Sequence, residues 1–135
     1  MSQHENTPTV LVVDDHEDTR QMSLIVLRSQ GFDAVTAPGG DAAFDLACSV
    51  RPNVIVTDLA MPEGDGWDLL NRLSADDRTK DIPVVVLTAC ATESVRQRAG
   101  QEPLAGFFFK PCPPDVLAAE LRRLIAARSV PALRP

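Results

Sequence analysis

A chain of 135 residues with 44% hydrophobic and 24% charged residues matches one globular domain with one core, far from the composition of disorder. The net charge of −6 excludes the basic stripe that a phosphate-backbone binder needs, so no direct contact with nucleic acid is expected. Three cysteines, Cys48, Cys90 and Cys112, lack C-x-x-C spacing, which excludes a disulfide framework and a zinc site and fits a reducing cytoplasm. The start "MSQHENTPT" has no signal-peptide pattern, and no apolar run approaches the roughly 20 residues that span a bilayer, so no membrane anchor is expected.

After a polar lead over residues 1–8, "VLVV" at Val10 to Val13 reads as a strand covered on both faces and runs into Asp14 and Asp15. A helix is predicted from Asp18 to Gln30, with Met22, Ile25, Val26 and Ser29 as its inner stripe and Gly31 as its stop. "FDAVTA" follows as a second strand. A second helix runs from Gly40 to Val50 on a stripe of Ala43, Phe44, Ala47 and Cys48, and Arg51-Pro52 ends it. "NVIVT" is the third strand and leads into "DLAMPEGDG", a carboxylate followed by a loop of Pro, Gly and acids. Asp65 to Leu73 carries Trp67, Leu70 and Leu73 at helical spacing. Ile82 to Thr88 is the fourth strand, with Pro83 near its beginning. Ala91 to Ala99 is a weak fourth helix and "LAGFFF" the fifth strand. Pro114 to Arg128 is the fifth helix, with Val116, Leu117, Leu121, Leu124 and Ile125 on one face, and residues 129–135 read as a tail.

Strands alternating with helices imply a doubly wound α/β fold, a parallel sheet with helices on both faces. In the flavodoxin-like strand order 2-1-3-4-5, ligands bind beyond the carboxyl ends of strands one and three, which places Asp14 and Asp15 beside Asp58. Thr88 and Lys110 end the fourth and fifth strands on the same rim. Carboxylates packed that closely repel unless a cation neutralises them or one stays protonated, and a hard divalent ion such as Mg²⁺ suits their oxygens. Lys110 can hold phosphoryl oxygens and the Thr88 hydroxyl can donate to another, so the set reads as phosphoryl transfer.

The chain resembles the response-regulator receiver domain of two-component signalling, the CheY-like family, over residues 9–128. Four stretches carry the resemblance in order: "VLVVDDHED", "VIVTDLAMPEGDGWDLL", "IPVVVLTA" and "FFFKP". The resemblance implies that Asp58 is the phospho-acceptor and that Asp14 and Asp15 form the acid pocket. It further implies that Asp15, Asp58 and the backbone carbonyl of Ala60 ligate Mg²⁺, and that Thr88 and Lys110 contact the phosphoryl group. Phe107 takes the switch-aromatic position, and Lys110-Pro111 is expected to be cis. The implied partners are a histidine kinase or a histidine phosphotransfer protein, with an effector on the face made by helix four, strand five and helix five. Four positions depart from relatives: Phe107 often stands as Tyr, Pro103 as Gly and Cys112 as an aromatic, and Ala60 has no side chain to position a water.

Each residue also has a plain role to set beside this. Asp58 alone could be a turn former, one of Asp14 and Asp15 is expected to cap the next helix as well, and Thr88 and Lys110 alone are ordinary. Phe107 to Phe109 read first as core, with Phe108 facing opposite to the other two. His4 and His16 are too few and isolated for a metal or phosphotransfer site, and the cysteines read as small buried hydrophobes. Two competing functions stand beside the receiver. A degenerate receiver used only as an interaction module would normally lack one of Asp58, Thr88 and Lys110. A phosphatase of the haloacid dehalogenase type would want D-x-D where this chain has Asp14-Asp15-His16.

Overall fold

The β-branched runs become the centre of the sheet, because a strand covered on both faces buries every side chain whichever way it points. A computed structural model describes residues 7–59, 66–89, 92–102 and 104–128. Its elements alternate along the chain: β1 (Thr9–Val13), α1 (Glu17–Ser29), β2 (Asp33–Ala37), α2 (Gly40–Val50), β3 (Val54–Thr57), α3 (Gly66–Ala75), β4 (Val84–Thr88), α4 (Glu93–Ala99), β5 (Gly106–Phe109) and α5 (Pro114–Arg128). The five strands are parallel in the order β2-β1-β3-β4-β5, the doubly wound flavodoxin-like arrangement expected from the sequence.

Alternation along the strands divides the core into two layers. Leu11, Val13, Ile55 and Val86 face Ala43 and Ala47 of α2 and Trp67, Leu70 and Leu73 of α3. Val10, Val12, Val54, Val56 and Val85 face Leu27 of α1 and Ala118 and Leu121 of α5. The register also sets the rim. Val13 pairs with Thr57, so Asp14 and Asp58 follow paired residues on adjacent strands. Thr88 pairs with Phe109, and Lys110 follows at once.

Several boundaries and faces differ from the sequence reading. The fourth strand begins at Val84, because Pro83 has no N–H for a ladder and only its carbonyl takes part, accepting from the Ile55 N–H at 3.0 Å. The fifth begins at Gly106 rather than Leu104, and α3 runs on to Ala75. Asp65 and Ala91, expected as helix starts, lie outside the described residues; α4 opens at Glu93, where the Thr92 hydroxyl accepts from the Val95 N–H. On α1 the buried residue is Leu27, while Met22 and Ile25, expected inside, are 59% and 64% exposed. On α5 the inner face is Ala118 and Leu121 flanked by Leu117, Leu124 and Ile125, and Val116 is exposed. Gly31 takes φ 94 just past α1, as its place at a helix stop anticipates.

Candidate functional site

Lys110 joins the two acids at the strand ends. Its ammonium donates to Asp14 Oδ2 at 3.0 Å and to Asp58 Oδ2 at 2.9 Å. The backbone fixes all three: Asp14 N–H donates to the Ala37 carbonyl, Asp58 N–H to that of Val13 and Lys110 N–H to that of Thr88, at 3.1, 3.1 and 2.9 Å. Asp14 is 3% exposed and Asp58 8%, so neither is an ordinary turn acid. Lys110-Pro111 is cis, as expected.

Burial pushes the Asp14 carboxyl up, but the His16 backbone N–H and the Lys110 ammonium outweigh it and hold the group below its usual value. Burial likewise pulls the Lys110 ammonium down, and its hydrogen bonds to Asp58 and Asp14 more than compensate, leaving it raised. The cation that the clustered acids demand is therefore in part the protein's own lysine.

Asp15 stands apart from this network. Its buried Oδ1 has no hydrogen-bond partner among the described residues, and the His16 Nδ1, 3.2 Å away, makes its hydrogen bond to Asp14 Oδ1 instead. Asp14, Asp15 and His16 each bring a ligand atom within 4.8 Å of the others. An orphaned carboxylate oxygen beside other oxygen donors fits a hard divalent cation. Ala60, whose carbonyl is the third expected ligand, lies outside the described residues.

Thr88 is fully buried at the end of β4, and its carbonyl anchors Lys110. Phe107 packs into the α2–α3 core layer and Phe108 into the opposite one, as alternation requires. Phe107 also meets Phe109 edge-on, with ring centroids 5.1 Å apart, and the Arg96 guanidinium of α4 lies 4.4 Å from the Phe109 centroid. Cys48 and Cys112 are half-buried free thiols, whereas Cys90 and Pro103 lie outside the described residues.

Three residues in the site were not legible as such. His16 reads as isolated in the sequence, yet its N–H and Nδ1 both bond Asp14 Oδ1, at 2.9 and 3.2 Å. It also holds the N-cap position of α1, where no side chain caps the helix, so neither acid is the expected cap. Arg20, one turn into α1, reaches back to the Asp14 carbonyl at 2.9 Å. Gly66 closes the loop after Asp58, donating to the Leu59 carbonyl at 3.0 Å; a Cβ there would stand 2.7 Å from the Asp58 carbonyl oxygen. Its signal was the second glycine of "EGDG".

A family model described as the response regulator receiver domain matches residues 10–122. The chain belongs to this family. An uncharacterized 14.6 kDa protein of Leptolyngbya boryana is 35% identical over 116 residues, covering 86% of either chain. The phosphate regulon transcriptional regulatory protein PhoB of Escherichia coli is 33% identical over 86% of this receiver, which spans 51% of PhoB's length. Among solved structures, the chemotaxis protein CheY4 of Vibrio cholerae superposes with a TM-score of 0.80 at 29% identity, over 87% of this chain and 98% of CheY4. The receiver domain of a histidine kinase from Syntrophus aciditrophicus gives 0.85 at 26% identity, over 96% and 98%. The receiver is thus a signalling domain of the CheY-like class. No helix among the described residues is long and apolar enough to cross a membrane.

Proposed function

We propose that Asp58 accepts a phosphoryl group from a phosphohistidine of a histidine kinase or histidine phosphotransfer protein, with the receiver proper over residues 9–128. The observation that carries this reading is the Lys110 ammonium within 3.0 Å of both Asp14 and Asp58 at the carboxyl ends of the strands. A carboxylate oxygen of Asp58 forms the new P–O bond while the P–N bond breaks, its electron pair returning to the imidazole of the donor. Lys110 moves its hydrogen bonds onto the phosphoryl oxygens, countering the charge that spreads over them in flight. The Thr88 hydroxyl donates to another of those oxygens. Asp15 and Asp58, with the Ala60 carbonyl, would hold Mg²⁺, which supplies further charge compensation when bound.

The phosphorylated site then resets the face made by α4, β5 and α5 through Thr88 and Phe107, and an effector reads that face. Incubation with acetyl phosphate and Mg²⁺ followed by intact mass measurement tests the proposal. One added phosphoryl group, lost in Asp58→Asn and on chelating the metal, is expected. No gain with every site residue intact would instead make the domain a phosphorylation-independent interaction module.

A further inference from the structure

On the α1–α5 side of the sheet, a cavity of about 370 Å³ lies directly against Asp58 and Lys110. That is within the roughly 300–1,000 Å³ of small-molecule sites. Its walls are mainly apolar, with Val12 and Val56 from the sheet, Val26 and Leu27 from α1, and Leu117 from α5, and the hydroxyl residues Thr19 and Ser23 of α1 also line it. Cys112 lines it, and burial pushes its thiol up, so that wall stays uncharged at neutral pH. The charged groups around the cavity are Asp14, Asp18, Asp58 and Lys110, three carboxylates against one ammonium.

We propose that this cavity binds a small amphiphilic cation, with an amine head against Asp14 and Asp58 and an apolar body between α1 and α5. A carboxylate offers about four lone-pair positions, and Asp14, whose Oδ1 serves His16 and whose Oδ2 serves Lys110, has room for one more donor. An anionic head would face the excess of carboxylates, and a neutral one would forgo their attraction. The walls are mainly apolar, with the hydroxyls of Thr19 and Ser23 along α1, so they hold water poorly and favour a guest with an apolar body. The inference goes beyond phosphoryl acceptance. An occupant here covers Asp58 from the α1 side and competes with transfer, but its binding needs no phosphodonor and is read without one.

The test is titration of the full chain, in chelator and without phosphodonor, with phenylbutylamine, phenylbutyrate and phenylbutanol, followed by methyl resonances and calorimetry. The amine is expected to saturate, to shift the methyls of Val26, Leu27 and Leu117, and to bind about tenfold or more tighter than the other two, the scale of one partly screened ion pair. Cys112→Phe should fill the cavity and weaken the amine about tenfold or more; Asp18→Asn, on the exposed rim, should weaken it severalfold in a fold that is not at risk. Equal affinity for phenylbutyrate, absence of saturable binding, shifts confined to other residues, or unchanged affinity in either variant would overturn the assignment.

Discussion

Lys110 Nζ sits 2.9 Å from Asp58 Oδ2, and the same nitrogen is 3.0 Å from Asp14 Oδ2, so one ammonium bridges two acids carried by different strands. Among the described residues, removing it leaves the buried Asp14 carboxylate with the His16 N–H and ring alone. Lys110→Met is expected to cost about 1–3 kcal/mol of stability, the penalty of stranding a buried charged acceptor. It should also slow phosphorylation of Asp58 more than it weakens Mg²⁺ binding. Denaturant melts and acetyl phosphate time courses of the variant check both.

The same pairing sets a pH window. The folded Asp14 carboxyl lies below its ordinary value, so its contribution is complete above about pH 4 and is lost as pH falls through the folded value. The folded Lys110 ammonium lies above its ordinary value, so its contribution is complete below about pH 10 and is lost as pH rises through the folded value. Stability from this pair should be level between those limits and decline outside them. Melting series across pH should show Lys110→Met without the alkaline decline.

Gly66→Ala is expected to destabilise by about 1–3 kcal/mol, because the added Cβ would press within 2.7 Å of the Asp58 carbonyl and 2.8 Å of Leu59 Cα, both backbone atoms. The strain falls on the peptide of the acceptor itself. Phosphorylation should therefore slow beyond what the loss of folded protein explains, measured at a temperature where the variant is fully folded.

The switch should travel through stacked side chains. Phe107 meets Phe109 edge-on, and Arg96 of α4 lies over Phe109, so a turn of Phe107 toward Thr88 disturbs a cation–π contact that ties α4 to β5. That helix has no fully buried residue, and a small change in its contacts shifts its population. Amide spectra with and without beryllofluoride should show Val95, Phe107 and Leu117 moving together with the Asp58 loop. Arg96→Ala should shrink the α4 response, and perturbations confined to the surroundings of Asp58 would contradict the route.

The strand ends were legible because a β-branched or aromatic run that stops at a charged residue marks both the strand and its rim, as Val13-Asp14, Thr57-Asp58 and Phe109-Lys110 do. The inner face of α1 was not. Leu24 to Leu27 are all apolar, so more than one stripe satisfies a helical period, and packing against Phe32 and Leu121 chose Leu27 over Ile25. Val116 of α5 fits an apolar stripe in the sequence for the same reason, and it is exposed. Arg20 and Gly66 act through the backbone of the acids, through a carbonyl at 2.9 Å or a Cβ that must be absent, and His16 acts partly through its own backbone N–H on the Asp14 carboxylate; no spacing of residue types encodes such contacts.

Borohydride reduction after acetyl phosphate treatment in Mg²⁺, with peptide mapping of the product, tests the central claim most directly, because it converts an acyl phosphate to the alcohol at the residue that carried it. Homoserine is expected at position 58 and nowhere else, and is absent when the metal is chelated. Homoserine at position 14 or 15 with Asp58 intact would contradict the claim.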